Sequence, residues 1–150
     1  MVSHRKRVFL PAFILCALLL TLTGCQFYGG PPTPAARDDA NFILFVSNQS
    51  FDLSTVDIKV EIDGVPVVNR DFNVANQHNW VEFPLKLSTG EHQMVVTSTR
   101  GQSSLTHKFS TFGKKWCVVD FWYYATEEGG AGPTPRHFGF HLFDRPPGFQ

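Results

Sequence analysis

Cysteine is scarce in this chain. Of three, Cys16 and Cys25 fall within the first 25 residues, which leaves Cys117 alone in the remainder. One thiol cannot close an internal disulfide, so stability has to come from a packed core. An excess of charge of one sign is missing too. Thirteen Lys+Arg face 13 Asp+Glu, and no basic run is long enough to follow a phosphate backbone, which argues against a nucleic-acid partner. A membrane-spanning helix needs roughly 20 apolar residues. The longest apolar stretch, Val8 to Leu22, has 15 and contains Pro11, which weakens a helix further. There is no Gly-x-Ser-x-Gly elbow or other placed nucleophile. His137 and His141 sit four apart on a strand pattern, about 13 Å from end to end, too far to chelate one ion together. No metal, cofactor or enzymatic activity is expected.

What the chain does have begins at its front. His4, Arg5, Lys6 and Arg7 form a positive tip, the short apolar stretch follows, and small residues precede a cysteine: Leu22-Thr23-Gly24-Cys25. Basic front, short core and small residues are the pattern of a secretory signal rather than an uncleaved anchor. The four residues resemble the lipobox of bacterial lipoproteins. That resemblance implies a signal peptide over 1–24 and acylation of Cys25 with diacylglycerol and, in many bacteria, a further acyl chain. Two or more chains give stable anchoring where one gives only marginal binding. Residue 26 is Gln rather than Asp, a departure from the inner-membrane retention pattern that favours the outer membrane. The implied location is a bacterial cell membrane or outer membrane, with the domain facing the periplasm or the cell exterior. Removal of Arg5, Lys6 and Arg7 would leave 10 basic against 13 acidic residues, a mildly acidic mature chain.

Residues 25–40 are rich in Gly, Pro and Ala and read as a tether holding the domain off the membrane. Residues 41–144 have the size of one domain with a single core, and 145–150 form a short tail. Within the domain the hydrophobic period is two. Val56, Ile58, Val60 and Ile62 alternate with Asp57, Lys59, Glu61 and Asp63, and Asp63-Gly64 is a hairpin signal. Val81, Phe83, Leu85 and Leu87 repeat the alternation, with Pro84 marking an edge or a bulge. His92 to Val96, Leu105 to Phe109, Phe42 to Ser47, Lys115 to Ala125 and Arg136 to Phe143 bring the count to seven or eight strands. The expected fold is all-β, an antiparallel two-sheet sandwich whose architecture looks immunoglobulin-like, without the paired cysteines of true immunoglobulin domains. Asn48-Gln49-Ser50 reads as a polar turn.

The most unusual segment is Lys115 to Tyr124. Cys117, Val119, Phe121 and Tyr123 share one face; Trp116, Val118, Asp120, Trp122 and Tyr124 share the other. An ionised Asp is costly to bury without partners, so the second face is expected to point outward. The next strand divides likewise, Phe138, Phe140 and Leu142 inside and His137, Gly139 and His141 outside. Matching faces requires paired residue numbers to sum to an odd value. The preferred register sets Tyr123 against Phe138, Phe121 against Phe140, Val119 against Leu142, Trp122 over Gly139 and Asp120 opposite His141; registers shifted by two also satisfy the parity.

The candidate ligand or partner face is therefore Trp116, Asp120, Trp122, Tyr124, His137 and His141. Aromatics beside a carboxylate suit docking of a protein partner, or stacking on sugar rings. The plainer alternative is Trp122 covering Gly139 as an ordinary cross-strand pair. Cys117 reads as an inert buried thiol and His107, between Leu105 and Phe109, as a core histidine. The leading expectation is a lipid-anchored, non-catalytic envelope module for protein interaction. A carbohydrate-binding module for cell-wall or surface polysaccharide is the alternative, and a small hydrolase using Asp120 and His141 comes third.

Overall fold

A computed structural model of the chain describes residues 29–74, 79–125 and 133–148. The expected signal peptide and Cys25 lie outside the described residues, as does most of the loop after Tyr124. Among the described residues no helix is long and apolar enough to cross a membrane. Nine strands run in chain order: β1 (Thr33–Pro34), β2 (Phe42–Asn48), β3 (Thr55–Ile62), β4 (Val65–Asn73), β5 (Val81–Lys86), β6 (Gly90–Ser98), β7 (Ser103–Thr111), β8 (Lys115–Tyr124) and β9 (Thr134–Phe143). They form a five-stranded sheet in the order β1-β5-β2-β8-β9 and a four-stranded sheet in the order β4-β3-β6-β7. The fold is an all-β, two-sheet sandwich, mostly antiparallel.

Alternation builds the core. Phe42, Leu44 and Val46 from β2 meet Val56, Ile58, Val60 and Ile62 from β3, with Met94, Val96, Val119 and Phe121 closing the layer between the sheets. The β3–β4 turn is the one its sequence specifies: Asp63 and Gly64 both have positive φ, at 52° and 77°, as a two-residue hairpin of the twist-compatible type requires. Val60 pairs with Val68 and Glu61 with Pro66, so Val67 is left over as a bulge. Pro66 is tolerated because β4 is an edge strand. At the β6–β7 turn, burial pushes the Asp57 carboxyl up, but donors outweigh it. Ser98 Oγ and the backbone N–H groups of Arg100 and Thr99 hold it below its ordinary range.

The structure departs from the sequence expectations in several places. One sheet pair is parallel: β2 runs alongside β8, Phe42 beside Lys115 through Asn48 beside Phe121. Parallel neighbours need a long crossover, and here the crossover supplies the other sheet. Strand β2, paired on both edges and packed on both faces, is buried from end to end.

The segment expected to be a free tether is fastened to the domain from Gly29 onward. Thr33 and Pro34 pair with Lys86 and Leu85, Ala40 N–H donates to Ala36 O at 2.9 Å, and Arg37 binds Glu82 at 3.1 Å. His107 is exposed rather than in the core, because β7 is an edge strand; its ring stacks on Phe140 at 4.0 Å. The Asn48-Gln49-Ser50 turn is buried, with Asn48 Oδ1 accepting from Ser50 N–H at 2.9 Å.

Candidate functional site

The outer face of the five-stranded sheet carries the aromatic residues. Ile43, Phe45 and Val118 form a second, smaller apolar cluster there with Ala40, against which Ala35, Trp80 and Trp116 pack. The division of β8 into two faces follows its alternation, since Cys117, Val119 and Phe121 belong to the main core. Phe138, Phe140 and Leu142 of β9 turn to that same core, so the parity of the β8–β9 pair is as expected.

The register itself is shifted by two. Val119 pairs with Phe140, Phe121 with Phe138, Asp120 with Gly139 and Trp122 with His137. Beyond Trp122 the ladder slips, and Tyr124 meets Thr134. The extra residue that this slip places on β9 is what a count from the turn cannot supply. Two consequences are corrections. Gly139 is covered by Asp120, not by Trp122. Asp120 also does not face His141, which pairs with Val118, so a carboxylate-oriented imidazole is not formed.

Asp120 is the residue that sets this face apart. It is only 6% exposed, and its Oδ1 has no hydrogen-bond partner. Its head leans over Gly139: a Cβ built there would lie 2.1 Å from Asp120 Oδ1 and 3.5 Å from His141 Nε2. The missing side chain of Gly139 thus makes the notch that the carboxylate occupies. On the other flank, Ser47 of β2 is opposite Asp120; its Oγ accepts from Gln49 Nε2 at 2.9 Å and does not donate to Asp120 Oδ1. Leaving a buried acceptor unpaired costs about 1–3 kcal/mol, and more for a charged group.

The remaining face residues are used unequally. Tyr124 OH donates to Gln49 O at 2.7 Å, which ties it to the β2–β3 loop. Trp122 is half-buried and tilted against Tyr124 at 6.4 Å, and Trp116 lies beneath the Lys114 ammonium at 5.8 Å. His137 is exposed, its Nδ1 2.7 Å from Pro135 O, and His141 is exposed beside Phe143. Sequence reading missed Ser47, which only the parallel β2–β8 pair sets opposite Asp120, and with it Gln49, which is hydrogen-bonded to Ser47. The alternation of Ile43, Phe45 and Ser47 was the available signal.

Beneath this face Cys117 is fully buried and free. Burial pushes its thiol up, and the nearby Asp120 charge pushes it further. The native chain should resist alkylation at Cys117, with modification appearing on unfolding when peptides are mapped by mass. Above a free thiol's ordinary pKa of about 8.5, the unfolded chain loses a proton that the folded chain keeps. Native stability should therefore fall with rising pH, by up to about 1.4 kcal/mol per unit, more steeply than in Cys117→Ala. Equal slopes in denaturant titrations from pH 8 to pH 10 would show that the thiol is not buried.

Among the described residues no group of three or more His, Cys, Asp or Glu is placed to hold a metal ion. Fold and site are those of an all-β sandwich consistent with a structural or interaction module. Compared with known protein families, curated proteins and solved structures, the chain matches none.

Proposed function

We propose that this chain is a lipid-anchored, non-catalytic interaction module of a bacterial envelope, and that the outer face of its five-stranded sheet docks a partner protein. Acylation of Cys25 rests on Leu22-Thr23-Gly24-Cys25. The observation that carries the docking face is Asp120: a buried carboxylate oxygen without a partner, beside the notch left by Gly139 and flanked by Trp122, His137 and His141. A fold gains nothing from holding such a group, whereas an ammonium, guanidinium or N–H brought in by a partner that displaces the side chains covering this oxygen would satisfy it. The half-buried aromatics around it would exclude water from that contact, as residues surrounding an interface hot spot do.

A protein partner suits this face better than a polysaccharide. Sugar stacking uses broad exposed ring faces, whereas Trp116 lies under Lys114 and Trp122 tilts on Tyr124. Anchoring raises local concentration, so a weak contact is sufficient. The test is capture from crosslinked, detergent-solubilised envelopes by wild type, Trp122→Ala and Asp120→Asn. Thr97→Ala, at an exposed position on the other sheet, serves as control. The expected result is one protein captured by wild type and Thr97→Ala and lost in the other two, with melting of Trp122→Ala close to wild type. Capture indifferent to all substitutions rules the face out. Retention of polysaccharide in place of protein supports the carbohydrate-binding alternative, and lost folding of Trp122→Ala marks that ring as structural.

A further inference from the structure

The two ends of the sandwich differ in a way that bears on the membrane. One end is built from the Asp63-Gly64 turn, the turn between β5 and β6, the turn between β7 and β8, and the last residues of β9. The other is built from the β2–β3 loop and the β6–β7 turn. The N-terminal segment reaches the domain at the first end. A Cβ on Gly29 would lie 2.1 Å from Cβ of Ser88, so the chain at Gly29 already presses on the β5–β6 turn. Only a residue without a side chain fits that approach.

From Ser88 the contacts continue in one direction. Ser88 O accepts from Thr111 Oγ1 at 2.7 Å, and Thr111 is followed directly by Phe112 at the apex of the β7–β8 turn. Phe112 is 67% exposed, the highest value among exposed large hydrophobic residues described. Gly113, with φ 90°, turns the chain behind it. Phe143, 36% exposed, closes β9 at this same end and pairs with Trp116. Phe51, 49% exposed, is at the far end, remote from the point where the N-terminal segment joins.

Chain length then limits the geometry. Three residues lie between Cys25 and Gly29, so four Cα–Cα steps span at most about 14 Å when fully extended. The domain is about 30 Å long, from strands of nine or ten residues. An acylated Cys25 lies at the headgroups, so Ser88 and the adjoining turn are held within one short span of them. The far turn at Thr99–Gln102 is not.

From this we infer that the Phe112 end of the sandwich rests on the lipid bilayer, with the Phe112 ring seated in the interface and Phe143 beside it. The inference rests on the acylation of Cys25 proposed above. An exposed aromatic at a turn apex is poorly placed in water and well placed at the boundary of headgroups and acyl chains. Charge does not set this contact, since Lys86, Lys114 and Arg145 share the end with Asp38, Asp39 and Glu91, all exposed. The orientation also stands the five-stranded sheet upright and turns the Asp120 face sideways. A partner would then be met laterally, close to the membrane.

The test uses the acylated mature chain in vesicles of phosphatidylethanolamine and phosphatidylglycerol. An environment-sensitive fluorophore is placed at Phe112→Cys and, separately, at Ser104→Cys, an exposed site toward the far end. Flotation with the vesicles reports anchoring. The expected result is a several-fold rise in emission at position 112, with quenching by brominated lipid, and no change at position 104. A chain that floats with equal responses at both positions overturns the orientation and leaves the anchor standing. A chain that does not float overturns the anchor, and the orientation with it.

Discussion

His92→Ala is expected to lower stability by about 3–5 kcal/mol, the combined result of leaving buried acceptors without a donor and of opening a cavity where the ring was. The ring is buried at the base of β6. Its Nδ1 lies 2.6 Å from Asp63 Oδ2, and its Nε2 lies 2.9 Å from Ser88 O and 3.0 Å from Thr111 Oγ1. The Ser88 carbonyl can only accept, so Nε2–H donates there, and Nδ1 shares a hydrogen bond with the Asp63 carboxyl. Asp63 is engaged twice, since its Oδ1 also accepts from Gln93 N–H at 2.9 Å. Three turns of one end thus converge on one imidazole: the β3–β4 hairpin, the β5–β6 turn and the end of β7. Removing it leaves a mostly buried carboxylate short of a donor, and a cavity beside Phe109, whose ring centroid is 5.4 Å away. At about 4 °C per kcal/mol for a domain of this size, melting should fall by about 10–20 °C. In a double-mutant cycle with Asp63→Asn the two should couple by about 1–3 kcal/mol. A His92→Ala chain that melts within a few degrees of wild type would mean the imidazole is a bystander. The effect also matters for the membrane contact, because His92 fixes the turn that Gly29 presses on.

The sequence made the strand faces legible and left their partners obscure, for a physical reason. Alternation is local: Val56 to Ile62, or Cys117 to Tyr123, declares which side chains turn together whatever lies beside them. Parity between β8 and β9 follows from that alone. Absolute register depends on the bulge near His137, and the energy of one extra residue in a loop is small, so nothing in the local pattern announces it. The pairing of β2 with β8 joins residues about 70 positions apart and is settled only by packing of the whole sheet. Depth is not local either. His107 has the face of a core residue but sits on an edge strand, so alternation placed its direction correctly and its burial wrongly. Residues 29–40 have a linker's composition, yet Pro34 lies against Leu85 at the sheet edge, a position that suits a residue without an N–H. Asp120 was marked as outward because burial of a lone carboxylate is costly. It is on the outer face and buried all the same, and that cost is what draws attention to it.

Asp120→Leu is expected to make the protein more stable and less able to bind. Replacing a buried charge by a well-packed apolar side chain is often neutral or stabilising, by about 1–4 kcal/mol. The surroundings fit the exchange: Val118 and Trp122 precede and follow on the same face, and the notch over Gly139 holds whatever Asp120 projects. A rise in melting of about 4–16 °C is the expected outcome, with Asp120→Asn giving a smaller gain because its amide still lacks a full set of partners. The companion substitution is Gly139→Ala. In wild type its Cβ would meet the carboxylate at 2.1 Å and should destabilise by about 1–3 kcal/mol through overpacking. In an Asp120→Ala background, where the notch is empty, the penalty should vanish. If Asp120→Leu instead lowers stability, the fold itself is satisfying that carboxylate, and the docking face loses its main support. If stability rises while partner capture fails, the protein carries a destabilising buried carboxylate beneath this face, and recognition is the use that accounts for it.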